Sequence, residues 1–260
     1  RDFGVAYREV PLAPTGRVDL AALEAALGPR TRVALVQRSC GYALRPPVTL
    51  ADIAAVVEVV RRAAPGCRVL VDNCYGEFVE EAEPCAAGAD LVMGSLIKSP
   101  GGTLAPCGGY VAGDAALVAA AQARLTAPGV GMDAGAHGGD LNRLLFQGLY
   151  LAPLSVAEAL KGGLLAAAVM AAEGYPASPS PAEFAAGLRS YIAAIELGSA
   201  ARLAAFCGAV QAKSPVGSYI RPVPGATAGY GDEVIFAAGT FVDGSTGELS
   251  ADGPLRPPFA

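Results

Sequence analysis

Apolar positions follow two rhythms along this chain. "RVALVQ" (Arg32 to Gln37) and "RVLVDN" (Arg68 to Asn73) are continuous apolar runs without alternation, the pattern of strands buried on both faces. "ADLVMGS" predicts a third strand and "GGYVAG" (Gly108 to Gly113) a fourth. Helical patterns lie between and after them. In "TLADIAAVVEVVRRAAPG", Thr49 is placed to cap, Asp52 sits three residues on, and Pro65 and Gly66 stop the helix. "DAALVAAAQARL" predicts a helix capped by Asp114. Strands alternating with helices predict an α/β fold with a mostly parallel sheet flanked by helices.

A long helical region follows, from about Asp140 to Glu173. "GYPASPSPAEF" is Pro/Ser-rich and predicts a linker or surface loop. Beyond it come a helical pattern, "GSAARLAAFCGAVQAK", and two strand-like pieces, "GSYIRPV" and "DEVIFAAGTFV". The expected division is residues 1–145 as part of a large domain, and residues 146–260 as a connecting helix with a small C-terminal α+β domain.

Composition narrows the classes. The 260 residues are 53% hydrophobic and 17% charged, a globular balance in which alanine carries much of the apolar excess. Runs such as "GGLLAAAVMAA" (Gly162 to Ala172) fall short of the roughly 20 residues a spanning helix needs, so no membrane partner is expected. The formal charge is -5, and no Lys/Arg cluster exceeds two residues, which argues against a nucleic-acid partner. Six cysteines form no CxxC and there is one histidine, so no metal is expected. Scattered cysteines of this kind predict buried thiols of an intracellular, cytoplasmic protein. No signal-peptide pattern opens the chain. It starts without Met in a strand-like stretch and stops after a glycine-rich passage, as a fragment of a longer protein would.

The three lysines are Lys98, Lys161 and Lys213, and Lys98 stands in "GSLIKSPGG". Ligands of open α/β sheets bind beyond the carboxyl ends of the strands. Asp72 closes one predicted strand, and Ser95 and Lys98 lie just past another, 26 positions on from Asp72 to Lys98. A phosphate loop would need glycine before the lysine and a helix after it; Ile97 precedes Lys98 and Pro100-Gly101-Gly102 follow, which excludes that motif. A Schiff-base lysine needs an apolar setting that favours the neutral amine. Pyridoxal phosphate also needs a carboxylate at its ring nitrogen, a place for Asp72, and a phosphate donor, a place for Ser95. Gly101 and Gly102 would let the backbone turn sharply or approach the cofactor closely. The bland alternative is a loop acid and a solvated lysine, and spacing by itself leaves both open.

"VDNCYGEFVE" followed by "GADLVMGSLIKSPGG" closely resembles the methionine gamma-lyase-like, aluminium-resistance family of fold-type-I pyridoxal-phosphate enzymes, which is related more distantly to cystathionine lyases and synthases. The likeness continues through "QRSCGY", "QGLYLAP", "SPVGSY" and "ELSADGPLRPP", over nearly the whole chain. The resemblance implies that Lys98 carries pyridoxal 5'-phosphate and moves the substrate proton, that Asp72 pairs with the ring nitrogen, and that Ser95 touches the phosphate. Asn73 continues the motif beside Asp72; Cys74 stands where the broader lyase group has threonine. Ser39, in "QRS", is placed to reach the cofactor or substrate. Members are longer at the N-terminus, where a segment cradles the phosphate, and assemble as homodimers or homotetramers. An organellar location stays open if such a segment precedes Arg1.

A small-molecule amino-acid substrate needs its carboxylate held, commonly by arginine. Arg256 in "GPLRPP" is preferred over Arg45 in "ALRPP", because the small domain supplies this group in the related folds; either could also face solvent. His137 is a general-acid candidate or an exposed loop residue. Tyr42 and Tyr75, near strand ends, could stack on a cofactor or belong to the core. Lys161 and Lys213 read as solvated. The expected function is a carbon–sulfur lyase acting on a sulfur-containing amino acid. The alternatives are a truncated or degenerate member without catalysis, or another pyridoxal-phosphate reaction such as an aminotransferase.

Overall fold

A computed structural model describes residues 3–131 and 139–260. His137 lies outside the described residues. Four strands, β1 (Val33–Gln37), β2 (Arg68–Asp72), β3 (Leu91–Ser95) and β4 (Gly109–Gly113), form one sheet in that order. β1, β2 and β3 are parallel, and β4 returns antiparallel, so the sheet is mixed. The pairing sets Gln37 opposite Asp72, and Asp72 opposite Met93. The carboxyl ends of the three parallel strands therefore share one edge of the molecule.

Helix α1 (Leu20–Ala26) and helix α2 (Leu50–Ala63) lie on one face of this sheet. Thr49 and Asp52 close a reciprocal capping box at the start of α2, worth about 1 kcal/mol. Ile53, Val56 and Val60 of α2 pack on Val69 and Val71 of β2, at about 1.5–3 kcal/mol per buried side chain. The expectation that the first strand is buried on both faces fails: Leu35 is 61% exposed. β1 ends the strand order and its outward side chains meet no described element, so only the inner alternation is covered.

Asp114 caps helix α3 (Ala115–Leu125) as expected. Helix α4 (Gly139–Ala172) runs 34 residues, about 50 Å. Its apolar window has a mean hydropathy of 1.5, so by length and composition it could cross a membrane. The short-run expectation missed this because glycines and single charges divide its apolarity. The helix packs on the turn Ser99–Gly101 and on the small elements that follow.

"GYPASPSPAEF" is not a linker. It holds β5 (Ala177–Ser178) and helix α5 (Pro181–Ala185), capped by a Ser180–Glu183 box. β5 pairs with β6 (Ala194–Ile195). Helix α6 (Ala200–Lys213) covers the hairpin of β7 (Val234–Ala238) and β8 (Ser250–Pro254), burying Leu203, Cys207 and Ile235 together. "GSYIRPV" forms no strand; only Gly225 bridges to Val234. Its Pro222 and the Pro224 that follows it remove two ladder donors in three residues.

Candidate active site

Lys98 follows β3 by three residues and starts a single 3-10 turn, Ser99–Gly101. Pro100 in that turn fixes φ and removes a donor, which stops an α-helix from forming. The next residue, Gly102, has φ +51°. A Cβ on Gly101 would lie 1.9 Å from the Leu96 carbonyl oxygen, and one on Gly102 would lie 2.1 Å from that of Gly148 in α4. In the other direction, a Cβ on Gly148 would lie 2.2 Å from the Gly101 carbonyl. Gly102 thus serves a backbone-to-backbone contact with α4 and Gly101 a tight turn against Leu96, the sharp turn being one of the two uses that the sequence offers.

The Lys98 Nζ donates to the Tyr75 hydroxyl and stands 3.9 Å from that ring's centroid. Neighbouring Ser99, buried, shares a hydrogen bond with the Tyr191 hydroxyl. The two tyrosine rings meet edge to face at 6.4 Å. Tyr191 comes from the segment between α5 and β6, so residues distant in sequence fix two consecutive residues of the lysine loop. Burial pushes the Tyr191 hydroxyl well above its ordinary pKa and keeps it neutral. A crevice of about 210 Å³ opens here, lined by Lys98, Thr103, Ser155, Tyr191 and Thr246 among others. A larger crevice, about 430 Å³ with its mouth, is lined by Tyr75, Ser39, Thr49, Glu80 and Arg189 among others.

Asp72 ends β2, beside β3, and its Oδ1 accepts the Cys74 amide at 3.0 Å. Burial, then the hydrogen bond to Asp72, push the Cys74 thiol up to about 11, so it stays a thiol. Among the described residues neither Asp72 nor Lys98 takes part in an ion pair. Ser95 ends β3 opposite Gly109 of β4. Asp72, Ser95 and Lys98 are thus brought to one edge of the sheet.

The remaining predicted residues sit apart from that edge group or are otherwise engaged. Asn73 is 1% exposed, and its amide is committed to protein. It accepts from Arg38 Nη1 at 2.9 Å and donates to Glu83 at 2.8 Å and to Tyr110 at 3.4 Å. That leaves it a brace beneath the site, with no donor turned to a cofactor. Ser39 lines the larger crevice, accepts from Gln37 Nε2, and its carbonyl takes Arg45 Nη2 at 2.7 Å. Arg256 lines neither crevice and pairs with Asp232 at 3.2 Å on the surface. Tyr42 donates to Asp252 of β8 and packs on Tyr230 at 5.3 Å, tying the β1 loop to the last hairpin.

Sequence reasoning missed the brace around Asn73. Arg38, buried, donates to the Val48 and Gly76 carbonyls and pairs with Glu80. Gly76 leaves room for it: a Cβ there would meet the Arg38 Cδ at 2.5 Å. Phe78 N donates to Glu83 at 2.9 Å. Together these hold a turn in which Tyr75 and Phe78 take positive φ of 68° and 60°, a conformation costing non-glycine residues on the order of 1 kcal/mol each. Glu77, in the same turn, accepts from Tyr110 at 2.9 Å. The signal was an arginine directly after the strand "VALVQ" and a glutamate in "YGEF".

The methionine gamma-lyase family profile matches residues 1–260. The Bacillus subtilis protein YnbB is 43% identical over 259 residues, 100% of this chain and 61% of that protein. A solved structure from Listeria monocytogenes, described as a candidate cystathionine beta-lyase involved in aluminum resistance, superposes with a TM-score of 0.92 at 43% identity, over 99% of this chain and 63% of the other. A carbon-sulfur lyase involved in aluminum resistance from Clostridium novyi gives a TM-score of 0.89 at 38% identity, over 99% and 59%. The chain thus spans about three fifths of the length of these relatives. With its whole length matched and its backbone shared, the chain belongs to the methionine gamma-lyase family.

Proposed function

We propose that this chain carries the reactive centre of a pyridoxal-phosphate-dependent carbon–sulfur lyase acting on a sulfur-containing amino acid. The observation that supports it most is the pair Asp72 and Lys98. They stand at the ends of neighbouring parallel strands, and each is without an ion-pair partner among the described residues. A half-buried carboxylate and amine without counter-ions are free to meet a ligand, and one that engages both gains a charge-assisted contact from each. When bound, pyridoxal phosphate supplies a carbonyl for the amine and an electron-withdrawing ring.

Lys98 would bind that carbonyl through Nζ and then move the substrate proton. Asp72 would hold a proton at the ring nitrogen by its negative charge. Ser95 would donate its hydroxyl to the phosphate. The names of the Listeria and Clostridium relatives favour carbon–sulfur cleavage over amino-group transfer. So does the Pseudomonas putida L-methionine gamma-lyase, 38% identical over 118 residues, 45% of this chain and 26% of that protein.

Titration of the purified protein with pyridoxal phosphate tests the cofactor assignment. A visible absorbance band is expected, abolished by borohydride and absent in Lys98→Ala. A Lys98→Ala spectrum identical to wild type sinks the assignment. Release of a keto acid and a thiol from cystathionine, cysteine or methionine supports the lyase; amino transfer to an added keto acid without thiol release replaces it with an aminotransferase.

A further inference from the structure

We propose that Tyr75 is a positioning residue for Lys98, holding its Nζ beside β3 until a carbonyl compound displaces it. The inference rests on the reading of Lys98 as the carbonyl-binding lysine. It begins from how Lys98 is compensated. Among the described residues no carboxylate pairs with it, and the crevice it opens into is lined by the hydroxyls of Thr103, Ser155, Tyr191 and Thr246 with no carboxylate among them. Tyr75 supplies what is missing. Its oxygen accepts from Nζ, and its ring lies 3.9 Å from the same atom by the centroid. A hydroxyl acceptor fixes both the distance and the direction of the amine it binds.

The surroundings hold the tyrosine in place at a cost. Tyr75 takes φ +68°, which only a braced turn sustains, and the brace is the buried Arg38–Asn73–Glu83 set. Its ring edge is fixed by Tyr191, which in turn grips Ser99, the residue after the lysine. The titratable and charged groups around the contact include Tyr75 and Glu77 from the turn after β2, Asp72 at the end of β2, Tyr191 from the segment before β6 and Tyr42 from the loop after β1. The Ser99 hydroxyl is neutral. A side chain held this way stays aimed while the site is empty, and loses one hydrogen bond on reaction.

Competitive trace labelling of amines with acetic anhydride at one fixed pH, read at the Lys98 peptide by mass spectrometry, tests this without any cofactor. Lys161, on the surface, is the internal reference. In Tyr75→Phe the labelling of Lys98 relative to Lys161 is expected to rise several-fold, because Nζ loses the acceptor that holds it. Tyr191→Phe, which removes the neighbouring hydroxyl from Ser99, is expected to leave that ratio in place. An unchanged ratio in Tyr75→Phe, or equal rises in both variants, overturns the proposal. Failure to form a reducible band with pyridoxal phosphate would overturn the lyase reading separately, since the labelling uses no cofactor.

Discussion

Glu77 is the least comfortable residue of the site. It is 3% exposed, its Oε1 accepts from Tyr110, and its Oε2 has no partner among the described residues. Burial, with a smaller contribution from the Glu83 charge, pushes its carboxyl up to about 7, against the lowering effects of Tyr110 and Arg38. Below its ordinary value of 4.5 the group is protonated folded and unfolded, and adds no pH dependence. From there to about 7 the folded state keeps a proton that the unfolded state has lost, so stability falls as pH rises. The full loss is roughly 3 kcal/mol, levelling off above the folded value. Glu77→Gln keeps an oxygen for Tyr110 and cannot ionise, so its urea midpoint should gain on wild type as pH rises; parallel curves for the two proteins would refute this. Lys98 and Asp72 were legible in the sequence because a charge ending an apolar run is conspicuous. Tyr75 was legible only as a ring near a strand end, because its place comes from a turn with positive φ, and Tyr191 and Glu77 were not legible, because their contacts span 92 and 33 residues.

Among the elements, α4 decides how the lysine loop is held. Its buried positions Gly148, Ala152 and Val156 recur every four residues and form one row under Gly102. Any side chain on Gly102 must take a left-handed φ and also displace the Gly148 carbonyl. Gly102→Ala should therefore destabilise by roughly 2–4 kcal/mol. It should also alter Lys98 labelling, because the turn that seats the lysine loses its floor. A Gly102→Ala protein with wild-type melting temperature and labelling would show that the contact is dispensable. The caps at Thr49 and Asp114 were legible, since each stands just before an apolar helical period. The hairpin of β7 and β8 was only half legible. "SADGP" carries no apolar alternation, and it becomes a strand because "VIFAA" pairs with it under α6.

This chain, three fifths the length of its relatives, exposes more surface than a compact monomer of its mass. It shows 14721 Å² of accessible surface, where a compact 26.0 kDa monomer would show roughly 10,500 Å². Part of the excess is apolar and ordered. Phe146, Tyr150 and Leu154 of α4 are 74%, 85% and 64% exposed, and they recur every four residues on the side of the helix away from the Gly148 row. A helix that buries its small residues and exposes its large ones has its second face free for a further contact. We take that contact to be a second copy of the chain, matching the homo-oligomer that the family resemblance implies. The purified 260-residue chain should then sediment above 26.0 kDa at micromolar concentration and shift toward monomer on dilution. Replacing Phe146, Tyr150 and Leu154 together by serine should favour the monomer, because about 2 kcal/mol of apolar burial per side chain is removed from each copy. The substitutions lie opposite the loop-bearing row, so Lys98 labelling should be unaffected. A wild-type chain that sediments as a monomer throughout, or a triple variant that associates as strongly as wild type, would rule this face out as the contact.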